Sequence, residues 1–316
     1  MRRRVLLWLA WLGLAASLIG LLARYLTPGS EYVLGAATFS GYLALGALVA
    51  VLLFALARSR AGWVGCALSG AVVVWTVGLH LPEYVAESVP PHGRDLVVMT
   101  ANLRVGSADA ASVVAAVRSR HVDVLMLEEL TVDEDVRLRT AGLWRVLPYA
   151  IADPRLYADG TGLWSRQPLT ETRVFRQLGF SFVTARLSGA AVTVAAVHVY
   201  GPYPSPQFPR WYQDMQSYPA LLGGLRGRTI LVGGDFNATA DDEQFRAILA
   251  RGYADAAEQA GAGFTPTWPA DRWFPPLIAI DHVLTRGAVA RSVDSVEIPG
   301  SDHRALIAVV RLPTRG

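Results

Sequence analysis

Three long apolar stretches occupy the first 80 residues: Val5–Leu22, Tyr32–Ala57 and Gly62–Gly78. Each is close to the ~20 residues a helix needs to cross a ~30 Å hydrocarbon core. A helix that is apolar on every side needs lipid or a large surrounding protein to cover it. The first stretch follows Arg2-Arg3-Arg4, as a signal peptide would, but its apolar run is long and no small-x-small cleavage site follows. Residues 1–80 are therefore read as a membrane anchor of three transmembrane helices. The arginines give an orientation, because they mark the cytoplasmic side. They stand before the first stretch and between the second and third (Arg58, Arg60), while Glu83 and Glu87 follow the third. This predicts a multi-pass cell-membrane protein with its amino terminus inside and its carboxy-terminal domain outside.

Composition agrees with that division. The chain is 52% hydrophobic and 17% charged, and the apolar excess lies in the first 80 residues. All 29 basic residues are arginine, which excludes a phosphate-cradling P-loop and Schiff-base chemistry, since both need lysine. The single cysteine, Cys66, excludes an internal disulfide framework and a cysteine-based zinc site. Residues 1–80 carry six arginines against Glu31, so of the chain's net +3 the remainder holds about −2. A domain that grips long nucleic acid is usually strongly basic; this one is not.

Residues 81–93 are a proline-bearing linker, and the fourteen residues from 80 to 93 reach at most roughly 45–50 Å. Residues 94–316 then alternate apolar strands with amphipathic helices, the pattern of a layered α/β domain. Strand after strand ends in a polar residue: Asn102, Glu129, His198, Asp235 with Asn237, Asp281, and Asp302 with His303. The ends of apolar strands are where an α/β protein mounts a site on a rigid frame.

The run Ile230-Leu231-Val232-Gly233-Gly234-Asp235-Phe236-Asn237 shows the principle. If the backbone stays extended, Asp235 and Asn237 face one cleft and Phe236 turns into the core. The two glycines would then allow a tight turn and close approach to a ligand. The competing reading is an Asx turn that closes a buried strand. Several carboxylates converging on one cleft repel each other unless a cation joins them. Oxygen ligands without cysteine suit Mg²⁺ or Mn²⁺, and such an ion polarises a phosphoryl oxygen and stabilises a leaving oxygen. Histidines beside it can carry protons or stabilise negative charge. The set is suited to phosphoester hydrolysis by water, and neither Gly-x-Ser-x-Gly nor His-Glu-x-x-His occurs.

Over residues 94–313 the chain resembles the endonuclease/exonuclease/phosphatase (DNase I-like) superfamily. The resemblance rests on ordered motifs: Met99–Leu103, Asp123–Leu130, Ser165–Leu169, Val197-His198, Gly234-Asp235-Phe236-Asn237, Ile280-Asp281-His282 and Ser301-Asp302-His303. In the second of these, Glu128 stands where the family has Gln. With its anchor, the chain is similar to membrane-bound bacterial members, the VanJ-like proteins among them. The resemblance implies a two-sheet α/β sandwich with the site at one edge. It places Glu129 on Mg²⁺ with Asp302 close by and Asn102 in support. Asp235 would orient or deprotonate the attacking water, and His198 and Asn237 would hold phosphate oxygens. His303, oriented by Asp281, would be the essential histidine; whether it or Asp235 is the base stays open. His80, His92 and His121 lie outside any motif, and alternation turns His282 away from the site.

The expected activity is metal-dependent hydrolysis of phosphate ester or anhydride bonds in a lipid-linked or other cell-envelope substrate. The expected partners are the bilayer and that phosphate, with no obligate protein partner. The alternatives are an extracytoplasmic Mg²⁺-dependent nuclease and a catalytically silent binding module. Two segments rich in Pro and aromatics, Tyr200–Tyr212 (with Trp211) and Phe264–Pro276 (with Trp273), are read as lips of the cleft that either touch lipid or pack on their own aromatics.

Overall fold

The computed structural model describes residues 2–176, 178–189, 191–203 and 205–314, and it divides into two compact units. The first comprises Met1–Pro82 with Ala240–Arg246, and the second comprises Glu83–Thr239 with Ala247–Gly316.

The first unit is built on helices α1 (Arg2–Ala23), α2 (Glu31–Thr38), α3 (Ser40–Leu43), α4 (Leu45–Ala57) and α5 (Arg60–His80). Three segments, Arg2–Ala23, Ser40–Ala57 and Arg60–Tyr84, are long and apolar enough to be candidate membrane spans. Ala10, Leu14, Ala47, Ala50 and Phe54 form a small buried seam. Most apolar side chains instead face outward, and only 22%, 28% and 17% of the three apolar windows is buried. That is the reverse of a soluble helical core. The second stretch, which the sequence reads as one helix from Tyr32, breaks at Phe39, so its candidate span starts at Ser40.

Among the described residues the second unit holds twelve strands: β1 (Arg94–Asn102), β2 (Val124–Glu128), β3 (Tyr149–Asp153), β4 (Thr161–Ser165), β5 (Leu169–Phe175), β6 (Phe182–Leu187), β7 (Val192–His198), β8 (Thr229–Asp235), β9 (Ala254–Asp255), β10 (Asp281–Arg286), β11 (Val289–Glu297) and β12 (Arg304–Leu312). They form two six-stranded sheets, in the orders β11-β12-β1-β2-β4-β3 and β5-β6-β7-β8-β10-β9. This is the two-sheet α/β sandwich of the DNase I-like kind.

Strand alternation builds the core between the sheets. Leu96 and Val98 of β1, Val124 and Met126 of β2, Val194 and Ala196 of β7, Leu231 of β8 and Val283 of β10 all point inward. The opposite parity of β1 and β2 (Met99, Ala101, Leu125, Leu127) packs against α6 (Ala110–Ser119) and α7 (Val132–Thr140). Asp109 caps α6 and Thr131 caps α7, each side chain accepting a backbone N–H three residues on. Helix α8 (Phe208–Gly223) buries Trp211, Met215, Tyr218 and Leu222; α9 (Glu243–Leu249) and α10 (Ala256–Gln259) follow.

Within the second unit, the segment that opens it is held from Glu83 onward. The N–H of Gly263 donates to the Glu83 carbonyl, and that of Glu87 to the Gln259 carbonyl, both at 2.8 Å. The freely extending part of the proline-bearing stretch is therefore shorter than its residue count allows.

Candidate active site

Register places the polar strand ends in one row. In the parallel pair β1/β2, Asn102 lies opposite Glu128; in β7/β8, His198 lies opposite Asp235. Antiparallel β10 sets Asp281 opposite Asp235. Strand β12 runs antiparallel to β1, so its start, just after His303, reaches the end of β1 that carries Asn102. The parity that buries Leu96, Val98, Met126, Val194, Leu231 and Val283 between the sheets also turns Asn102, Glu128, His198, Asp235 and Asp281 inward. Each is 2% exposed or less, so the polar row is the edge of the core itself.

Two local departures complete the row. Alternation alone would send Glu129 the other way from Glu128. Its backbone is instead left-handed (φ +53°), and its carboxylate swings back to accept Asn102 Nδ2 at 3.1 Å and the Val105 N–H at 2.7 Å. A non-glycine residue held there is strained, and such strain concentrates at functional sites. At the other departure β8 ends at Asp235 and Asn237 is also left-handed (φ +46°). Asn237 is thus placed by a turn, its N–H donating to Asp235 Oδ1 at 2.8 Å, and not by an extended backbone. The Asx turn and the position expected to hold phosphate are the same structure. The glycines also differ from expectation. A Cβ on Gly233 would lie 2.5 Å from Met126 Sδ, and one on Gly234 1.8 Å from the Val197 carbonyl oxygen, so both make room for neighbouring strands and not for a ligand.

Asp235 is the hub. Its Oδ2 accepts from Asn102 Nδ2 at 3.0 Å and lies 3.8 Å from the Nε2 atoms of both His198 and His303. His303 Nδ1 bonds Asp281 Oδ2 at 2.8 Å, which aims Nε2 at Asp235. Asp281 is in turn positioned by Thr267, whose hydroxyl oxygen accepts its backbone N–H at 3.3 Å. Ser301 ties the last motif to the first: its hydroxyl donates to the Asn102 carbonyl at 2.7 Å and accepts the His303 N–H. His198 Nδ1 bonds the Ala158 carbonyl at 3.1 Å, and Phe180 stacks on its ring at 4.3 Å, leaving Nε2 facing Asp235 and, at 3.9 Å, Glu129.

The electrostatics pull these groups apart. Burial pushes Glu129 up despite its hydrogen bonds. Burial first, then the Asp281 charge, raises Asp235 to about 7. Burial works against charge on His303, but the carboxylates of Asp281 and Asp235 outweigh it and lift the imidazole to about 10. Burial, reinforced by the His303 charge, drives His198 down to about 3. Glu128, with no exposed surface, is raised well above the carboxylate range by burial and by Asp281. Its Oε1 accepts from Thr100 at 2.8 Å and its Oε2 has no partner among the described residues.

Of the residues expected to ligate a metal, Asn102 and Glu129 are hydrogen-bonded to each other, and Asp302, partly exposed, has its Oδ1 3.9 Å from Arg104 Nε. Asp235, Asp281 and His303 also offer atoms within 4.8 Å of one another. The 2.8 Å Asp281–His303 contact is, however, a hydrogen bond that consumes one atom from each. The partly exposed carboxylates of Glu129 and Asp302, the former pushed up by burial, are the donor set that fits a hard cation. His282 faces away, bonded to Asp255 at 2.6 Å and to the Ala238 carbonyl at 2.9 Å. Trp211 is a correction to the lip reading. It lies within α8, fully buried, and its indole N–H donates to the Asn237 carbonyl at 3.0 Å. Sequence reasoning missed Arg104, left-handed at φ +46° and paired to Asp271 at 3.1 Å; its only signal was a charge two residues after the strand-end Asn. Nothing in sequence pointed to Phe180 or Ala158, which arrive on loops distant in the chain.

No curated protein matches the chain by sequence. Among solved structures, it is similar to humanized D. rerio TDP2 (TM-score 0.57, 15% identity, 69% of this chain and 99% of that one). It is also similar to the 3'-5' exonuclease NExo from Neisseria meningitidis (TM-score 0.57, 18% identity, 67% and 98%). A third is an endonuclease/exonuclease/phosphatase protein from Bacteroides vulgatus (TM-score 0.54, 16% identity, 70% and 100%). At these identities the likeness speaks to fold alone. The model of the Endonuclease/Exonuclease/phosphatase family, however, matches residues 99–303, from the strand that carries Asn102 to the histidine bonded to Asp281, and by that match the chain belongs to this family of phosphoester hydrolases.

Proposed function

We propose that the chain is a membrane-anchored, divalent-metal-dependent phosphoesterase that hydrolyses phosphate ester or anhydride bonds of a lipid-linked cell-envelope substrate. The observation that carries the chemistry is the Asp235 hub, with an amide on one oxygen and two imidazoles 3.8 Å from it. Glu129, Asn102 and Asp302 would hold Mg²⁺ or Mn²⁺. When bound, the ion would supply Lewis-acid polarisation of the phosphoryl oxygen and charge for the departing oxygen.

The chain's own groups divide the remaining work. His303 is held as an imidazolium by Asp281, so it donates Nε2–H and does not take a proton at neutral pH. Asp235, titrating near neutrality, is then the base for the attacking water. His198 donates Nδ1–H to Ala158, so its neutral Nε2 has a lone pair only. It donates to a phosphate oxygen when the substrate's negative charge has restored its second proton. Asn237 commits one amide proton to the Val199 carbonyl at 2.9 Å and keeps the other for the phosphate.

The lipid-linked substrate is supported by the three candidate spans and by the near −2 charge of the remaining chain. The test is a Mg²⁺-dependent hydrolysis screen of the full chain over phospholipids, polyprenyl phosphates, DNA, RNA and aryl phosphodiesters, with His303→Ala as control. Activity on lipid phosphates that the variant lacks is the expected result; preference for DNA or RNA would replace the reading with an extracytoplasmic nuclease.

A further inference from the structure

Two loops beside the site expose large apolar side chains that burial would otherwise favour covering. Trp273 is 95% exposed, Leu156 78% and Tyr157 73%. Both loops are fastened to the site within a few residues. Leu156 and Tyr157 precede Ala158, whose carbonyl holds His198 Nδ1. Trp273 follows Ala270 and Asp271; the former's N–H donates to the Asp302 carbonyl at 2.7 Å, and the latter's carboxylate pairs with Arg104. One apolar finger therefore extends from the His198 side of the cleft and one from the Asp302 side. An arginine precedes each, Arg155 and Arg272, both partly exposed and each ion-paired to an aspartate.

The Trp273 loop begins where the chain arriving from α5 is seated. Gly263 holds Glu83, and only Leu81 and Pro82 separate Glu83 from His80, the last residue of α5. Around that seat Tyr84, Val85 and Phe264 are also exposed. Within the second unit Glu83 is thus held at the start of the segment Gly263–Trp273, whose Ala270 and Asp271 reach Asp302 and Arg104. Trp and Tyr favour the headgroup zone, where one end of the ring is wet and the other apolar. A protein partner fits less well. Three tips expose roughly 500 Å² by ordinary aromatic areas, short of the ~800 Å² per side of a stable interface.

Resting on the lipid-linked reading above, we infer that Leu156–Tyr157 and Trp273 form a two-fingered lip that dips into the headgroup boundary of the anchoring bilayer, presenting an amphiphile's phosphate to Asp235 and Glu129 without its leaving the membrane. The full chain is reconstituted in phosphatidylethanolamine–phosphatidylglycerol vesicles with an environment-sensitive thiol dye at Tyr157→Cys or Trp273→Cys, in a Cys66→Ser background. Arg139→Cys, on exposed α7, is the control. Lipids with a nitroxide at the fifth acyl carbon are expected to quench the dye at 157 and 273 at least threefold more than at 139. Equal quenching at all three sites overturns the lip, as does protection at 273 that appears only at high protein density, which would assign the surface to a second copy. In parallel, Leu156→Ser/Tyr157→Ser/Trp273→Ser is expected to lower the ratio of vesicle-phosphate to soluble aryl-phosphodiester rates at least tenfold, and an unchanged ratio overturns it. The quenching needs no substrate, so quenching without lipid hydrolysis by the wild type would retain the lip and remove the lipid-linked reading.

Discussion

Asp281, 2% exposed, bonds His303 Nδ1 and so orients and charges that ring. Asp281→Asn keeps the shape and removes the charge, so turnover is expected to fall about 10²–10⁴-fold, the usual worth of a positioned acid or base. Retention of activity within threefold, with the fold intact by circular dichroism, would remove His303 from the chemistry. The same pair links to stability. His303 sits at about 10 against an ordinary ~6.5, so between those values the folded state holds the extra proton. Its contribution is complete below pH ~6.5 and is lost as pH rises through about 10. The difference in melting temperature between wild type and His303→Asn should therefore be largest near pH 6 and shrink toward pH 10. His198, pushed down to about 3, acts the other way, costing stability as pH falls below ~6.5. Glu128 stands where the family has Gln, and its raised pKa means the folded state favours the neutral acid. Stability contributed by that proton is lost as pH rises above the ordinary carboxylate range. Glu128→Gln, neutral at every pH, should keep hydrolysis within threefold and flatten the alkaline fall in melting temperature. A variant as pH-sensitive as wild type would show Glu128 ionised in the folded protein.

Whole elements decide which aromatic residues are structural. Helix α8 lays Trp211 and Tyr218 on the sheet behind Asp235, with hydrogen bonds to the Asn237 and His198 carbonyls. Trp211→Ala should cost about 3–5 kcal/mol of stability through the cavity it leaves, read by chemical denaturation. A change of vesicle-to-soluble rate ratio without that loss would contradict its core position. The loops beside His198 share another support. Burial opposes charge on Asp153, but hydrogen bonds from Arg176, Ser181 and Arg155 hold it down at about 2. This stability is present above pH ~4 and lost as pH falls through about 2. One carboxylate thus ties the end of β3 to the segment that carries Phe180. Turn chemistry at Gly234 is stricter still: with φ +155° and the Val197 carbonyl 1.8 Å from any Cβ, Gly234→Ala is expected not to yield folded protein.

At the scale of the molecule the proposal is an anchored enzyme whose cation joins carboxylates that otherwise repel. Mg²⁺ at ten to a hundred times its dissociation constant should add about 1.4–2.7 kcal/mol of stability, seen as a rise in melting temperature that chelator reverses and Glu129→Gln abolishes. No shift in the wild type would count against metal at Glu129. The arginine distribution predicts an outside catalytic unit; externally added protease should digest a carboxy-terminal tag on intact spheroplasts, and digestion only after lysis would reverse the orientation.

How much was legible follows from range. Apolar length in α1, α4 and α5, strand-end polarity at Asn102, His198 and Asp281, and parity at His282 are local properties, and the chain states them one segment at a time. The left-handed turn at Glu129 and the Asx turn at Asn237 were only half legible, because alternation predicts an extended backbone that the site does not use. Trp211 and Trp273 look alike in sequence, each in a stretch of prolines and aromatics. Trp211 is buried with its indole N–H on the carbonyl of Asn237, 26 residues away, whereas Trp273 is 95% exposed among the described residues. The sequence by itself determined the three long apolar helices, the layered α/β class and the identities of the groups that could carry phosphoester chemistry, since these depend on composition, period and order. Only the tertiary structure decided that Asp235 is the hub, that His303 is charged while His198 is not, and which aromatics remain exposed. Those depend on burial and on charges brought within 4 Å by strand register, and no single segment holds that information.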